Sequence, residues 1–233
     1  LNEDDPVAAW KAHQELIRQK REQLDKLELD TLILKGPGTD LTVGLVQGGH
    51  WIGGCIQNTR TGMSCVPNIP TEEIFFVPDK RRINGVVSST LPLNHHGTLI
   101  EGIRLEVCNG EVTAFSAQKG ENSLAAILKT DEGSKRFGEI SLVSSKSRIY
   151  QAQTLFYDTL LDENAVCHMA LGRGTPGILE NGYQLSPKEL DSLGINSSAI
   201  HVDFMIGSNS LDVDGQTKNG TCIPILRGGD WVI

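Results

Sequence analysis

The chain is short of the features that mark several whole classes of protein. It has five cysteines in 233 residues, Cys55, Cys65, Cys108, Cys167 and Cys222. They are odd in number and scattered, and no two stand as C-x-x-C. That excludes a zinc ribbon and a dense disulfide framework, and it predicts a reducing, cytoplasmic setting. No apolar run approaches the roughly 20 residues needed to span a bilayer, and no basic segment with an apolar stretch behind it opens the chain. A membrane partner is therefore not expected. Positive charge is in deficit: 21 Lys and Arg against 29 Asp and Glu leave a formal net charge of -8, which argues against nucleic acid as a partner. No serine lies in a G-x-S-x-G context, so a serine hydrolase is not expected. Lys35-Gly36-Pro37-Gly38 lacks the order of a phosphate loop and reads as a tight turn. The chain opens on Leu1 rather than Met, as a fragment or processed product would.

The residues present predict one β-rich α+β domain with flanking helices. A helix is expected at the start, with Asp4 or Asp5 as its cap, Pro6 in its first turn, and Trp10, His13, Leu16, Ile17, Leu24 and Leu27 on one face. Strands follow at Thr31–Leu34, Asp40–Val46, Ile74–Val77, Asn84–Val87 and Thr98–Ile103. Arg104–Val107 and Glu111–Phe115 flank Cys108-Asn109-Gly110, whose Asn-Gly pair is a strong hairpin signal. A helix is expected over Ser123–Lys129, capped by Ser123 or Asn122, and a second over Ala152–Leu160. The last quarter returns to strands, with turns at Lys218-Asn219-Gly220 and Arg227-Gly228-Gly229-Asp230 and an edge at Trp231-Val232-Ile233. Asn94-His95-His96-Gly97 and Gly48-Gly49-His50 read as surface turns.

Chemistry gathers where charged residues interrupt apolar text. In His201-Val202-Asp203-Phe204-Met205-Ile206 a strand would put His201 and Asp203 on one face and Val202 and Phe204 on the other. Burying a carboxylate or imidazole among apolar residues is unfavourable unless something pairs with it. A divalent cation would do so; a plain His–Asp hydrogen bond reads the dyad equally well. Glu163 and His168 sit at metal-ligand spacing around Ala165-Val166-Cys167, where Cys167 reads as a small core residue. Glu73 stands against Ile74-Phe75-Phe76-Val77, and Glu139 interrupts Phe137-Gly138-Glu139-Ile140-Ser141-Leu142-Val143. Together, Glu73, Glu139, Glu163, His168, His201 and Asp203 supply donors for two divalent ions with one carboxylate shared. Oxygen and nitrogen donors without thiolate suit Zn²⁺, Co²⁺ or Mn²⁺. Such a pair, about 3.5–4 Å apart, is the apparatus for hydrolysing an amide or ester.

Four segments in order resemble the thermophilic aminopeptidase T family, which includes aminopeptidase S. They are Lys35-Gly36-Pro37-Gly38-Thr39-Asp40-Leu41-Thr42-Val43, the stretch Val66-Pro67-Asn68-Ile69-Pro70-Thr71-Glu72-Glu73-Ile74-Phe75, Leu161-Asp162-Glu163-Asn164-Ala165 leading to His168-Met169-Ala170-Leu171-Gly172, and His201-Val202-Asp203-Phe204-Met205-Ile206-Gly207. The resemblance runs from about Asp5 to the C-terminus. It implies a dinuclear metallo-aminopeptidase acting on peptides with a free N-terminus, a homodimeric assembly, and metal ligands at the six positions already named. It also implies that Glu139, if it bridges the metals, carries the proton from the attacking water to the leaving amine. The α-amino group of the substrate would be held by a metal or a carboxylate.

The sequence departs from the family pattern in two ways. Where family members carry a tyrosine a few residues after the glycine of the His168–Gly172 segment, Thr175 stands here. Its hydroxyl is shorter and less acidic than a phenol, and losing one donor to a tetrahedral intermediate commonly costs about 10²–10³ in rate. Residues 1–233 also resemble the metal-bearing part alone, without the family's N-terminal domain. Both departures leave open a catalytically impaired or inactive metal-binding relative.

Overall fold

The structure, a computed structural model, describes residues 3–57, 61–66 and 69–233. Leu1 and, within the segment before Glu73, Pro67 and Asn68 lie outside the described residues. The opening helix, Pro6–Lys26, forms as its sequence predicts. Asp5 caps it by accepting hydrogen bonds from the N–H groups of Val7 and Ala8, and Pro6 occupies the first turn, where its missing N–H costs nothing. Ile17 and Leu24 are buried. Leu16 is exposed, so the buried stripe is narrower than the apolar spacing suggests.

Two large antiparallel sheets follow, beside two short two-stranded pairs, giving the expected α+β class. The larger has eight strands in the order Glu111–Ser116, Arg104–Cys108, Pro78–Ser88, Thr39–Leu45, Leu29–Gly36, Asp212–Thr217, Cys222–Arg227 and Asp230–Trp231. Its tight turns are where turn chemistry placed them. Pro37-Gly38 closes one hairpin, Asn109-Gly110 another and Gly228-Gly229 a third, with Gly38, Asn109, Gly110, Gly228 and Gly229 all at positive φ. Trp231 lies on the terminal strand of the sheet order, an edge as expected. His96-Gly97 closes a separate small hairpin between Leu93–His95 and Thr98–Ile100.

The smaller sheet carries the chemistry. Its order is His201–Met205, His168–Gly172, Phe137–Leu142, Ile74–Phe76 and Ile52–Gly53. The chain runs from Ile74–Phe76 through Val77 directly into Pro78–Ser88 of the larger sheet. One apolar core joins the two, with Leu34, Leu41 and Ile83 from the larger and Ile140, Met169 and Phe204 from the smaller.

The register of the smaller sheet sorts its side chains cleanly. Ser141 pairs with His168 and Glu139 with Ala170, while Ala170 pairs with Asp203 and Gly172 with His201. Paired residues share a face, so Glu139, Ser141, His168, His201 and Asp203 lie on one side. Ile140, Met169, Leu171, Val202 and Phe204 lie on the other, in the core. Strict alternation would put Phe137 beside Glu139 on the polar side. A bulge between Phe137 and Glu139 inserts one residue and pairs Phe137 with Leu171, so the ring turns into the core, where it is fully buried against Phe204. Gly138 is the inserted residue. A Cβ there would stand 2.2 Å from the Arg173 carbonyl oxygen, a clash that only glycine avoids.

Two helical expectations are corrected. The helix expected over Ser123–Lys129 is Glu121–Leu128, and its cap is Gly120 in the left-handed conformation, with no side-chain bond from Asn122 or Ser123. The segment Ala152–Leu160 is not one helix. Short helices occupy Arg148–Gln151 and Thr159–Asp162, and Gln153 and Tyr157 between them have positive φ, which an α-helix cannot contain. Three serine and aspartate caps explain the break: Ser147 caps the first piece and Asp158 the second, while the Asp162 carboxylate accepts from the Phe156 N–H and closes the loop between them.

Candidate metal centre

The structure brings together all six donors expected from the sequence. Ligand atoms of Glu73, Glu139 and His168 lie within 4.8 Å of one another, as do those of Glu139, His201 and Asp203 and those of Glu163, His168 and Asp203. Glu73 ends the segment leading into Ile74–Phe76, Glu139 sits just after the bulge, and Glu163 follows the short helix Thr159–Asp162. His168, His201 and Asp203 stand on neighbouring strands.

His168 is fully buried. Its Nε2 lies 3.1 Å from Glu73 Oε2 and 3.4 Å from Glu139 Oε1, yet it has no hydrogen-bond partner of acceptable geometry. Its Nδ1 faces the Val166 carbonyl at 3.3 Å. His201 Nε2 lies 3.4 Å from Asp203 Oδ1 and 3.7 Å from Glu139 Oε2, while its Nδ1 meets the Arg173 carbonyl at 2.7 Å. Each imidazole thus turns one nitrogen to the backbone and the other into the cluster, the arrangement that orients a metal-binding histidine. Asp203 Oδ1 is buried and, like His168 Nε2, unpartnered.

The electrostatics agree with the geometry. Four carboxylates converge here, and among the described residues no Lys or Arg pairs with any of them. Burial, reinforced by the neighbouring carboxylates, pushes Glu163 up to about 8 and raises Glu139 from its ordinary value. Burial opposes a charge on the histidines, but the acidic neighbours outweigh it. Glu139 and Glu73 hold His168 well above its ordinary value, and Asp203 and Glu139 raise His201 to about 9. Protons are thus drawn into a cluster that no Lys or Arg among the described residues neutralises. Buried charges of this kind are paired or bind metal. Two divalent ions would cancel four carboxylate charges and give His168 Nε2 and Asp203 Oδ1 the partners they lack, so the residues fit such a pair.

Supporting residues that the sequence reading passed over hold the donors in place. Ser141, fully buried, donates from its hydroxyl toward Glu73 Oε2 and Glu139 Oε1, each at 2.9 Å. Its two-residue spacing from Glu139 was the available signal. Asn164, also fully buried, accepts from the Glu72 N–H at 2.7 Å and donates to the Leu160 carbonyl at 2.9 Å. It therefore ties the segment bearing Glu73 to the short helix that Glu163 follows. His13, expected only as a helix-face residue, reaches the Thr71 carbonyl at 2.9 Å and docks the opening helix on the same segment. Cys167 is buried as expected, its thiol hydrogen-bonded to the backbone of Val143 and pushed up to about 11 by burial.

Thr175 makes local hydrogen bonds. Its hydroxyl accepts from the Gly177 N–H at the start of the turn Pro176–Ile178 and lies 3.1 Å from the Tyr183 hydroxyl. Lys35–Val43 builds a hairpin of the larger sheet, and its part is structural.

A family model described as "Thermophilic metalloprotease (M29)" matches residues 1–231. The chain is 44% identical over 231 residues to "Aminopeptidase 2" of Geobacillus stearothermophilus, covering 99% of this chain and 56% of that protein. It is 43% identical over 233 residues to "Aminopeptidase T" of Thermus aquaticus, covering 100% of this chain and 56% of the relative. Among solved structures, "Wild-type AmpT from Thermus thermophilus" superposes with a TM-score of 0.93 at 42% identity, over 98% of this chain and 56% of that one. A 2,5-dihydroxypyridine dioxygenase from Pseudomonas putida KT2440 matches with a TM-score of 0.60 at 13% identity, over 92% of this chain and 59% of that one, a likeness of fold alone. The chain spans about half the length of the curated relatives it matches.

Proposed function

The chain belongs to the thermophilic metalloprotease (M29) family, and from that membership we propose that it forms the catalytic domain of an aminopeptidase that removes N-terminal residues from peptides with the help of two divalent cations. The observation that carries this reading is the convergence of six donors, two with orphaned buried atoms, at a point that no Lys or Arg among the described residues neutralises. Glu73, Glu139 and His168 would form one cation position and Glu139, His201 and Asp203 the other. Glu163 approaches both through His168 and Asp203. The donor set suits Zn²⁺, Co²⁺ or Mn²⁺. When bound, such a pair supplies Lewis acidity, lowering the pKa of water and polarising a carbonyl oxygen.

The protein's own groups do the rest. Glu139 has one oxygen toward each position, and burial already raises its carboxyl. It is suited to accept a proton from attacking water and return it to the leaving amine. A carboxylate of the cluster would hold the substrate's α-ammonium group, which makes cleavage begin at the chain end. By the resemblance, Thr175 takes the place of the family's tyrosine, and its hydroxyl lies 3.1 Å from that of Tyr183. The scattered cysteines accord with a reducing, cytoplasmic setting.

Metal analysis of the purified protein, with hydrolysis of an aminoacyl chromogenic amide before and after chelation, tests this reading. Two ions per chain and activity that returns on adding metal are expected. Well-folded protein that takes up no divalent ion overturns the reading. Uptake without turnover identifies the inactive relative that Thr175 raises.

A further inference from the structure

We infer that Ser141 is the positioning residue that makes the two cation positions unequal, by aiming Glu73 and Glu139 at the position they share with His168; this rests on the two-ion reading above. Ser141 is fully buried and lies opposite His168 in the strand ladder. Its hydroxyl oxygen stands 2.9 Å from Glu73 Oε2 and 2.9 Å from Glu139 Oε1. Those two atoms are the ones that approach His168 Nε2, at 3.1 and 3.4 Å. The other oxygen of Glu139, Oε2, faces His201 Nε2 at 3.7 Å.

A carboxylate is planar, so anchoring one oxygen fixes where the other points. Ser141 therefore sets the rotation in which Glu139 can serve both positions, and it holds Glu73 on one of them. Among the described residues its side-chain hydrogen bonds end at these two carboxylates; none reaches Glu163, His201 or Asp203. A hydroxyl has a single proton, so it donates to one carboxylate at a time. Removing it frees both to turn. Partners of this kind, behind the ligands, commonly govern about 10–100-fold in metal affinity. The loss is larger at the position shared with His168, where Ser141 anchors both carboxylates, than at the other, which shares only Glu139.

Stepwise titration of metal-stripped protein with Co²⁺, followed by calorimetry and by the visible absorption of the bound ion, tests the assignment without recourse to activity. In Ser141→Ala, one binding step weakens by about 10–100-fold while the other weakens by a clearly smaller factor. Circular dichroism of the stripped variant checks its fold. Should the alanine variant not fold, Ser141→Gly, which removes the hydroxyl and adds no ligand atom, carries the same comparison. Equal weakening of both steps, or two steps unchanged, overturns the assignment. Wild-type protein that takes up fewer than two Co²⁺ overturns the two-ion reading first, and this inference with it.

Discussion

At the scale of single residues, the centre is a problem of charge. Four carboxylates and two imidazoles meet there and, among the described residues, no Lys or Arg pairs with them, so the protein's own remedy is to keep protons there. Glu139→Gln keeps the side chain's shape and an oxygen donor while removing its capacity to accept a proton. Amide hydrolysis should fall by about 10²–10⁴, the range for a lost general base, with metal still bound; atomic-absorption analysis beside the rate assay separates the two effects. Protonation also sets a pH dependence. Glu163 is raised from 4.5 to about 8, so without metal the folded chain holds a proton there that the unfolded chain gives up above 4.5. His201, raised from 6.5 to about 9, acts in the same direction. Both contribute stability at low pH that is lost as pH rises through their folded values. Chelator-treated protein should therefore melt at a lower temperature at pH 9 than at pH 6.5. A melting temperature that climbs across this window would contradict the assignment.

At the scale of elements, the site depends on where strands and short helices stop being regular. The bulge at Gly138 lets Phe137 face the core while Glu139 faces the cluster. In Gly138→Ala the new Cβ must move the backbone around Arg173. A cost of about 1–3 kcal/mol is expected, typical of overpacking, together with loss of hydrolysis because Glu139 shifts. Denaturant unfolding and the rate assay read the two separately. Asn164 works between elements. Asn164→Ala leaves the Glu72 N–H without its acceptor, a loss of about 1–3 kcal/mol, and loosens Glu73 and Glu163 together. Weaker metal binding should accompany the lower unfolding free energy. An Asn164→Ala protein with wild-type affinity would show that the clasp does not position the ligands.

At the scale of the whole molecule, the metal belongs to the stability of the fold. The donors come from strands of one sheet and from two segments clamped beside it, and the unfolded chain does not assemble them. One bound ion at about 100 times its dissociation constant should stabilise the folded state by about 2.7 kcal/mol. For a domain of this size that corresponds to about 5–11 °C in melting temperature. Calorimetry with and without Zn²⁺, Co²⁺ or Mn²⁺ measures it, and melting unaffected by every one of them would count against a resident pair. No described helix is long and apolar enough to cross a membrane. The chain matches its relatives along nearly its full length yet spans about half of theirs, so activity should be measured on this chain as it stands.

Much was legible in the sequence because it depends on near neighbours. The period of two in His201–Met205 put His201 and Asp203 on one face, the Asn109-Gly110 and Pro37-Gly38 turns followed from backbone preference, and Asp5 with Pro6 marked the opening helix. The six donors stood out because each interrupts apolar text, where an unpaired charge is costly. What the sequence could not supply were relations between distant segments. Alternation alone would have set Phe137 beside Glu139, and only the ladder with Leu171 shows the bulge. The single helix expected over 152–160 gave way to two because capping side chains outcompeted weak helical propensity. Ser141 and Asn164 look ordinary along the chain; their parts come from groups 68 and 92 residues away. Local patterning encodes which face a side chain takes, whereas tertiary packing decides which faces meet. The number of cations the site can balance follows from that meeting.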